Sequence, residues 1–528
     1  MDAGIMPDMA LEKQSSISTI TKGGSYATKV LDTDHTERAS RDLAKQERMS
    51  VREAYTTYPR AVLWAVLLGT TIIMESYDYG LMGNFFGLPA FQKKYGSELA
   101  SGKYNVSAGT QTALKQTTKA GQIAGLVLTG WSADRFGYRK TQLAALGVLA
   151  LVVLFQFLAP STRALIAAQT LVGVPLAPFL TISNVYASEV SPLRLRPYLT
   201  TFQQLCWVGG GLISTGILRG FVNNTSQWAY RIPFAIQWCW MPLIALVCLT
   251  APESPTWLIK RGRIDDARRS LQRLSGKKED SEALEDRLAY LQYTNELEKV
   301  HSHESVSYSE VFKGTNLRRT EIACAVYSIQ PLCGYGLGYN STYFFEQAGL
   351  TAASAFDVSL GVSALALVCC LVSWPLMRWY GRRPMILIGL LGALCSMFLI
   401  GGFGIPRPQP WTGWATGGAC FFFTIAYSIT IGPLVFTIIT DIPSTRLRAK
   451  TAALARASYI ATTLFNVIVT NYQANETAWD WRGKAGFFWA GSCILCLVWA
   501  FFRLPETKDK AATEIDALFE EGRSARDF

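Results

Sequence analysis

Three short polar signatures occur twice in this 528-residue chain, in the same order and about 250 residues apart. Ser132-Ala133-Asp134-Arg135-Phe136-Gly137-Tyr138-Arg139-Lys140 is echoed by Met377-Arg378-Trp379-Tyr380-Gly381-Arg382-Arg383. Glu189-Val190-Ser191-Pro192-Leu193-Arg194-Leu195-Arg196 is echoed by Asp441-Ile442-Pro443-Ser444-Thr445-Arg446-Leu447-Arg448. Pro252-Glu253-Ser254 is echoed by Pro505-Glu506-Thr507. Each copy lies beside long apolar stretches. A basic loop recurs by chance in any chain that crosses a bilayer many times, but three matched pairs in register point to a duplicated membrane domain with two halves of equal layout.

A spanning helix takes about 20 mainly apolar residues. Twelve such stretches can be placed, at 60–82, 117–133, 141–159, 164–186, 199–221 and 232–251 in the first half, and 320–345, 355–377, 384–403, 413–439, 450–471 and 485–503 in the second. The fold class expected is therefore all-α and membrane-embedded. With 50% hydrophobic and only 17% charged residues, a soluble chain of this size is excluded. The expected divisions are a tail over 1–58, a six-helix bundle over 59–252, a polar linker over 253–319, a second bundle over 320–504 and a tail over 505–528. Helical apolar spacing from Glu282 to Gln292 reads the linker as a solvated surface helix pair, and residues 1–50 and 510–528 read as flexible tails.

The net charge of +11 does not point to nucleic acid, because Lys and Arg are spread over short loops. Arg135, Arg139, Lys140, Arg194, Arg196, Arg378, Arg382, Arg383, Arg446, Arg448 and Lys450 fall on even-numbered loops. The odd-numbered loops carry little beyond Arg163, Arg231, Arg407 and Arg482, the first loop with Lys93, Lys94 and Lys103 excepted. The bias predicts cytoplasmic termini and a cytoplasmic linker. No cleaved leader is expected from the polar first 58 residues. Glycosylation sequons then begin at Asn105, Asn223, Asn224 and Asn475 on outer loops, whereas Asn340 would lie inside the seventh span. All eleven cysteines fall in apolar segments, which argues against a disulfide framework or a zinc site. No metal, cofactor or enzymatic motif is expected.

Chemistry is sought among polar residues inside apolar spans, since each costs free energy unless it has a partner or a task. Glu75 and Asp78 stand three apart in the first span, on one helix face. Buried carboxyls suit groups that take up and release protons; a structural ion pair with Arg456 or Lys119 is the alternative. Gln203, Gln204, Gln330, Asn340 and Asn466 offer amides that bridge sugar hydroxyls or cross-link helices equally well. Pro331 with Gly334, Gly336 and Gly338, and Gly432-Pro433, predict broken helices of the kind that line cavities.

These signatures, with Pro252-Glu253-Ser254-Pro255-Thr256-Trp257-Leu258-Ile259-Lys260-Arg261-Gly262-Arg263 and Pro505-Glu506-Thr507-Lys508, resemble the sugar porter family of the major facilitator superfamily. The resemblance runs from about Tyr58 to Leu518. Gly87 to Tyr95, Leu205-Cys206-Trp207, Ser341 to Leu350 and Thr477 to Phe487 look most like the fungal maltose-type α-glucoside/proton symporters. It implies twelve helices in two six-helix bundles around a central cavity. Gln204, Gln330 and Asn466 would be sugar-binding amides, with Asn340 nearby, and Phe436 would stand where glucose facilitators carry Trp. Asp78, and Glu75 beside it, would couple protons with Arg456. Asp134, Arg135, Glu189, Arg196, Arg382, Asp441 and Arg448 would form the inner gating loops, Asp441 replacing the usual Glu. Two positions depart from related patterns: Gln169 where glucose-type symporters have Arg, and Gln122 where maltose-type chains often have Glu.

The function so implied is proton-driven uptake of an α-glucoside or other sugar by a plasma-membrane monomer whose partners are sugar, protons and lipid. An uncoupled facilitator and an exporter of fungal metabolites share the same fold. A non-transporting sugar sensor is a further alternative, against which the short C-terminal tail speaks.

Overall fold

The computed structural model describes residues 33–528 apart from 100–101, 103, 193–194, 277–280, 304–307, 339–341, 407–408, 444–446, 509–514, 516–517 and 527. The described chain is helical except for loops and one antiparallel ladder in the first loop, Ser97–Glu98 against Tyr104–Asn105. Two compact units emerge.

The larger unit comprises Val66–Val185, Pro197–Thr250 and Ser307–Phe528. Among the described residues, every stretch of membrane length read from the sequence coincides with helix, the seventh with a broken one. In the first half these are Pro59–Phe85, Ala108–Phe136, Tyr138–Leu158, Thr162–Val190, Arg196–Phe221 and Trp228–Thr250. In the second, Ala352–Trp379, Arg382–Phe403, Pro410–Asp441, Arg448–Ala474 and Ala485–Arg503 follow a broken seventh segment. Among the described residues, nine are long and apolar enough to cross a membrane by themselves. The second, fifth and seventh fall short: the second carries Lys115, Lys119 and Gln122, the fifth Gln203 and Gln204, and the seventh is interrupted. Spans that cannot stand alone in lipid are those that neighbouring helices must cover.

Glycine sets the close approaches. A Cβ on Gly121 would meet the Thr170 carbonyl at 2.0 Å, and one on Gly173 would meet that of Thr118 at 2.1 Å, so the second and fourth spans touch backbone to backbone. Gly137, between the second and third spans, has φ of 91°, a conformation that excludes a side chain from the turn. Its counterpart Gly381 is required for a different reason. Glu506 accepts from Arg382 N at 3.0 Å and Arg383 N at 3.1 Å, capping the helix start, and a Cβ at Gly381 would strike that carboxylate.

Both expected helix breaks are present. Gly314–Gln330 passes into a π-turn at Pro331–Tyr335, with Gly334 at φ of 93°, and the helix resumes at Thr342–Gln347. Pro410–Ala426 passes through a π-turn at Tyr427–Ile431 into Gly432–Asp441. Wide turns free carbonyls from the helical ladder, and side chains must answer them.

The smaller unit comprises Met1–Ala65, Tyr186–Arg196 and Ala251–Val306. Part of the expected flexible N-terminal tail is ordered here: Thr33–Arg48 is a helix lying along Ser281–His303. Arg287 pairs with Asp42 at 3.3 Å, their side chains only 10% and 2% exposed, and Arg41 reaches Glu282 and Asp286 at 3.3 and 3.4 Å. Polar composition alone reads this segment as solvated. Its partners come from a linker some 240 positions away, which no local pattern announces.

Candidate functional site

Glycine again determines which side chains meet. A Cβ on Gly80 would strike Ser214 Oγ and one on Gly210 would strike the Ile73 carbonyl, so the first and fifth spans pack closely. Ser76 donates its hydroxyl to the Trp207 carbonyl across that contact. Tyr79 and Trp207 consequently lie side by side, ring centroids 5.9 Å apart. They border a small cleft, hereafter the cavity, whose other walls include Asn84, Thr215, Tyr335 and Ser363, drawn from both halves.

Asp78 lies on the far side of the same helix and is 1% exposed. Its Oδ1 accepts from Gln156 Nε2 at 3.2 Å and Gln237 Nε2 at 3.1 Å, amides of the third and sixth spans. Asp78 Oδ2, Gln156 Oε1 and Gln237 Oε1 are buried without a hydrogen-bond partner among the described residues. A proton on Asp78 Oδ2 would remove the charge and turn one of these three unpartnered acceptors into a donor. Neither amide partner was singled out by sequence reading. Their only signal is glutamine inside otherwise apolar spans.

Glu75, one turn earlier, sits in a different setting. Its Oε1 accepts from Gln122 Nε2 at 2.7 Å, and Gln122 Oε1 accepts from Lys119 Nζ at 3.0 Å. The Lys119 ammonium lies 5.1 Å from the Tyr79 ring centre and 5.7 Å from that of Trp207. Arg456 donates to Tyr327 Oη at 3.0 Å and lies over the Tyr459 ring at 5.0 Å, within electrostatic reach of Glu75. Glu75 therefore has two cations near it, while the side chains hydrogen-bonded to Asp78 are neutral amides. Glu75 Oε2 has no hydrogen-bond partner among the described residues.

The amides divide. Gln330 Nε2 donates to the Gly432 carbonyl at 3.0 Å, tying one helix break to the other. Asn466 Nδ2 donates to the Pro331 carbonyl at 2.7 Å. Their nitrogens hold broken backbone in place. Gln204 is half-buried, and Phe436 packs edge-on to Tyr327 with centroids 6.0 Å apart. Asn340 lies outside the described residues, as do the side chains of Asp441 and Arg448.

At the basic loops, Asp134 is exposed and Arg135 stacks over Trp131 and Phe136, both at 5.7 Å. Arg382 Nη1 donates to the Thr507 carbonyl at 2.7 Å, within its own half. In the smaller unit, Glu189 accepts the Ser254 hydroxyl, and Arg196 is half-buried.

At the opposite end of the larger unit the two halves are bonded to each other. Thr342 Oγ1 donates to Asn84 Oδ1 at 2.6 Å, Lys115 Nζ to Asn471 Oδ1 at 3.3 Å, and Arg219 forks onto Asp357 at 2.6 and 3.0 Å. Asn475 Nδ2 donates to the Val106 carbonyl at 2.9 Å, and Asn105 bonds Tyr343. This bears on the sequons. Asn105 and Asn475 are 2% and 0% exposed, so in this conformation their amides are closed to a glycan; Asn223 and Asn224 stand in solvent.

Residues 62–519 match the family described as "Sugar (and other) transporter". Maltose permease MAL31 of Saccharomyces cerevisiae is 39% identical over 503 residues, covering 94% of this chain and 81% of the relative. A general alpha-glucoside permease of the same yeast is 35% identical over 497 residues, covering 93% and 80%. Among solved structures, the inward-open xylose transporter XylE from E. coli superimposes with a TM-score of 0.67 at 18% identity, over 87% of this chain and 98% of that one.

Proposed function

The chain belongs to the sugar (and other) transporter family, and we propose that it takes up an α-glucoside or related sugar by alternating access, driven by protons. The membrane is crossed many times, and the fold is that of the major facilitator superfamily. The relatives named for maltose and alpha-glucosides supply the substrate class.

One observation carries the coupling. Two buried carboxyls, Glu75 and Asp78, each keep an oxygen without a hydrogen-bond partner among the described residues, on the helix whose Tyr79 borders the cavity. Protonation of Glu75 would remove a charge from the chain that reaches the cavity wall through Gln122 and Lys119, and protonation of Asp78 one from the opposite face of the same helix, so each ligand favours the state the other prefers. The cross-half bonds at the end away from the basic loops support an inward-facing form. The Lys/Arg bias supports cytoplasmic termini and linker. Plasma-membrane residence and a monomer complete the proposal.

Gln122 favours a second reading, an uncoupled facilitator, because it supplies a neutral donor to Glu75 where a second carboxyl would titrate. Radiolabelled uptake of a sugar panel in a transport-deficient host, with and without a protonophore, separates the two. Accumulation abolished by the protonophore supports symport; uptake that equilibrates and ignores it refutes coupling; uptake of none of the sugars refutes the substrate class.

A further inference from the structure

Among the described residues, Lys119 is a cation that touches both the cavity wall and the hydrogen-bond chain to Glu75. Its ammonium has three donors. Only the bond to Gln122 Oε1 is made among the described residues, while the aromatic faces of Tyr79 and Trp207 cover the rest of the head. Those two rings also border the cavity. The charged and titratable groups facing Glu75 are Asp78 and Tyr79 on its own helix, Lys119 on the second span, and Arg456 and Tyr459 on the eleventh, with Tyr327 of the seventh bonded to Arg456. Of these cations, Arg456 lies against Tyr327 and Tyr459, which are not among the cavity's lining residues, whereas the two rings on Lys119 are walls of the cavity itself.

We propose that Lys119 binds the sugar directly and that Glu75 sets when it does so. With Glu75 charged, the ammonium is drawn towards the Gln122–Glu75 chain. With a proton from solution on Glu75 Oε2, that pull is lost, and the ammonium donates to a hydroxyl of a sugar lying against Tyr79 and Trp207. A flexible four-carbon stem permits the movement, and a charge-assisted hydrogen bond is stronger than the neutral amide contacts. The substrate favoured is a polyhydroxylated, uncharged ring with an apolar face for the two aromatics. This inference rests on the proton-coupled sugar reading and gives it a residue that senses both ligands.

The test uses the full-length protein in lipid nanodiscs and direct binding of radiolabelled maltose at about pH 5 and about pH 8, either side of the range in which such groups commonly titrate. Wild type should bind about tenfold more tightly at the acid pH. Lys119→Met should bind at both pH values with the wild-type affinity of pH 8, losing the acid gain, and Lys119→Arg should restore part of it. Glu75→Gln, which removes the charge but keeps the ammonium, should bind at pH 8 almost as tightly as wild type does at pH 5; it decides the matter if Lys119→Met does not fold. Lys119→Met that keeps the acid gain, or weakens binding equally at both pH values, overturns the role of Lys119 alone. So does Glu75→Gln that binds weakly at both. Wild type that binds no maltose, or binds it equally at both pH values, overturns the coupled-sugar reading itself and this inference with it.

Discussion

Asn105 and Tyr343, 238 positions apart, hold each other in both directions: the amide nitrogen donates to the phenol oxygen at 3.0 Å, and the phenol donates to the amide oxygen at 3.2 Å. The first belongs to the loop after the first span and the second to the resumed half of the broken seventh. Their bond closes the larger unit at the end away from the basic loops. Tyr343→Phe keeps the ring and removes the hydroxyl, weakening that closure by about 0.5–1.5 kcal/mol. The outward-open population should rise several-fold. Labelling of Thr215→Cys, in the cavity wall, by an impermeant maleimide should accelerate accordingly; an unchanged rate means the clasp does not hold the gate.

Asp78→Asn should be stably folded and uncoupled. The new amide keeps an acceptor for Gln156 Nε2 and Gln237 Nε2 and removes a buried charge, so thermal stability should be retained or raised. Accumulation against a gradient should vanish, while exchange of sugar down its gradient persists. Parallel measurement of melting temperature and counterflow checks this, and loss of folding would show that the carboxylate itself is structural. Gln122→Glu, in contrast, should add a titrating group beside Glu75 and shift the pH dependence of uptake.

Gln330→Ala should lower affinity for every transported sugar alike. The substitution leaves the buried Gly432 carbonyl unanswered, at about 1–3 kcal/mol, and loosens the junction between two helix breaks. Asn466→Ala should act the same way through the Pro331 carbonyl. If either change alters selectivity between sugars at constant thermal stability, the amide reads the substrate directly.

Glycan attachment should depend on Asn223 and Asn224. Replacing both by Gln should abolish any glycosidase-sensitive mobility shift on a gel, since both stand in solvent. Asn105→Gln or Asn475→Gln should leave the shift intact, because those amides are buried against the opposite half. A shift lost with Asn475→Gln instead would mean that the loop is glycosylated before the halves close.

Much of the fold is legible because lipid imposes a simple rule on each span, roughly 20 apolar residues between polar loops. The same rule makes Pro331 and Gly432-Pro433 visible as breaks. Partnership is what escapes. Nothing in the spacing of residues links Asp78 to Gln156 and Gln237, since helices that are distant in sequence bring them together. Nor does an amide in an apolar helix reveal whether its nitrogen faces a cavity or a carbonyl, as Gln330 and Asn466 do. Sequons suffer the same blindness: Asn475 satisfies the motif, yet its side chain serves the closure.

The buried pair between Asp42 and Arg287 places the halves of one bond on segments that domain-swapping experiments usually separate. A chimaera with a relative's N-terminus would inherit one charge without its counterpart, stranding it in a poorly hydrated seam. Such a hybrid would misfold or turn over quickly for reasons unrelated to the sugar it carries. Selectivity hybrids should therefore take residues 33–48 and 281–303 from a single parent.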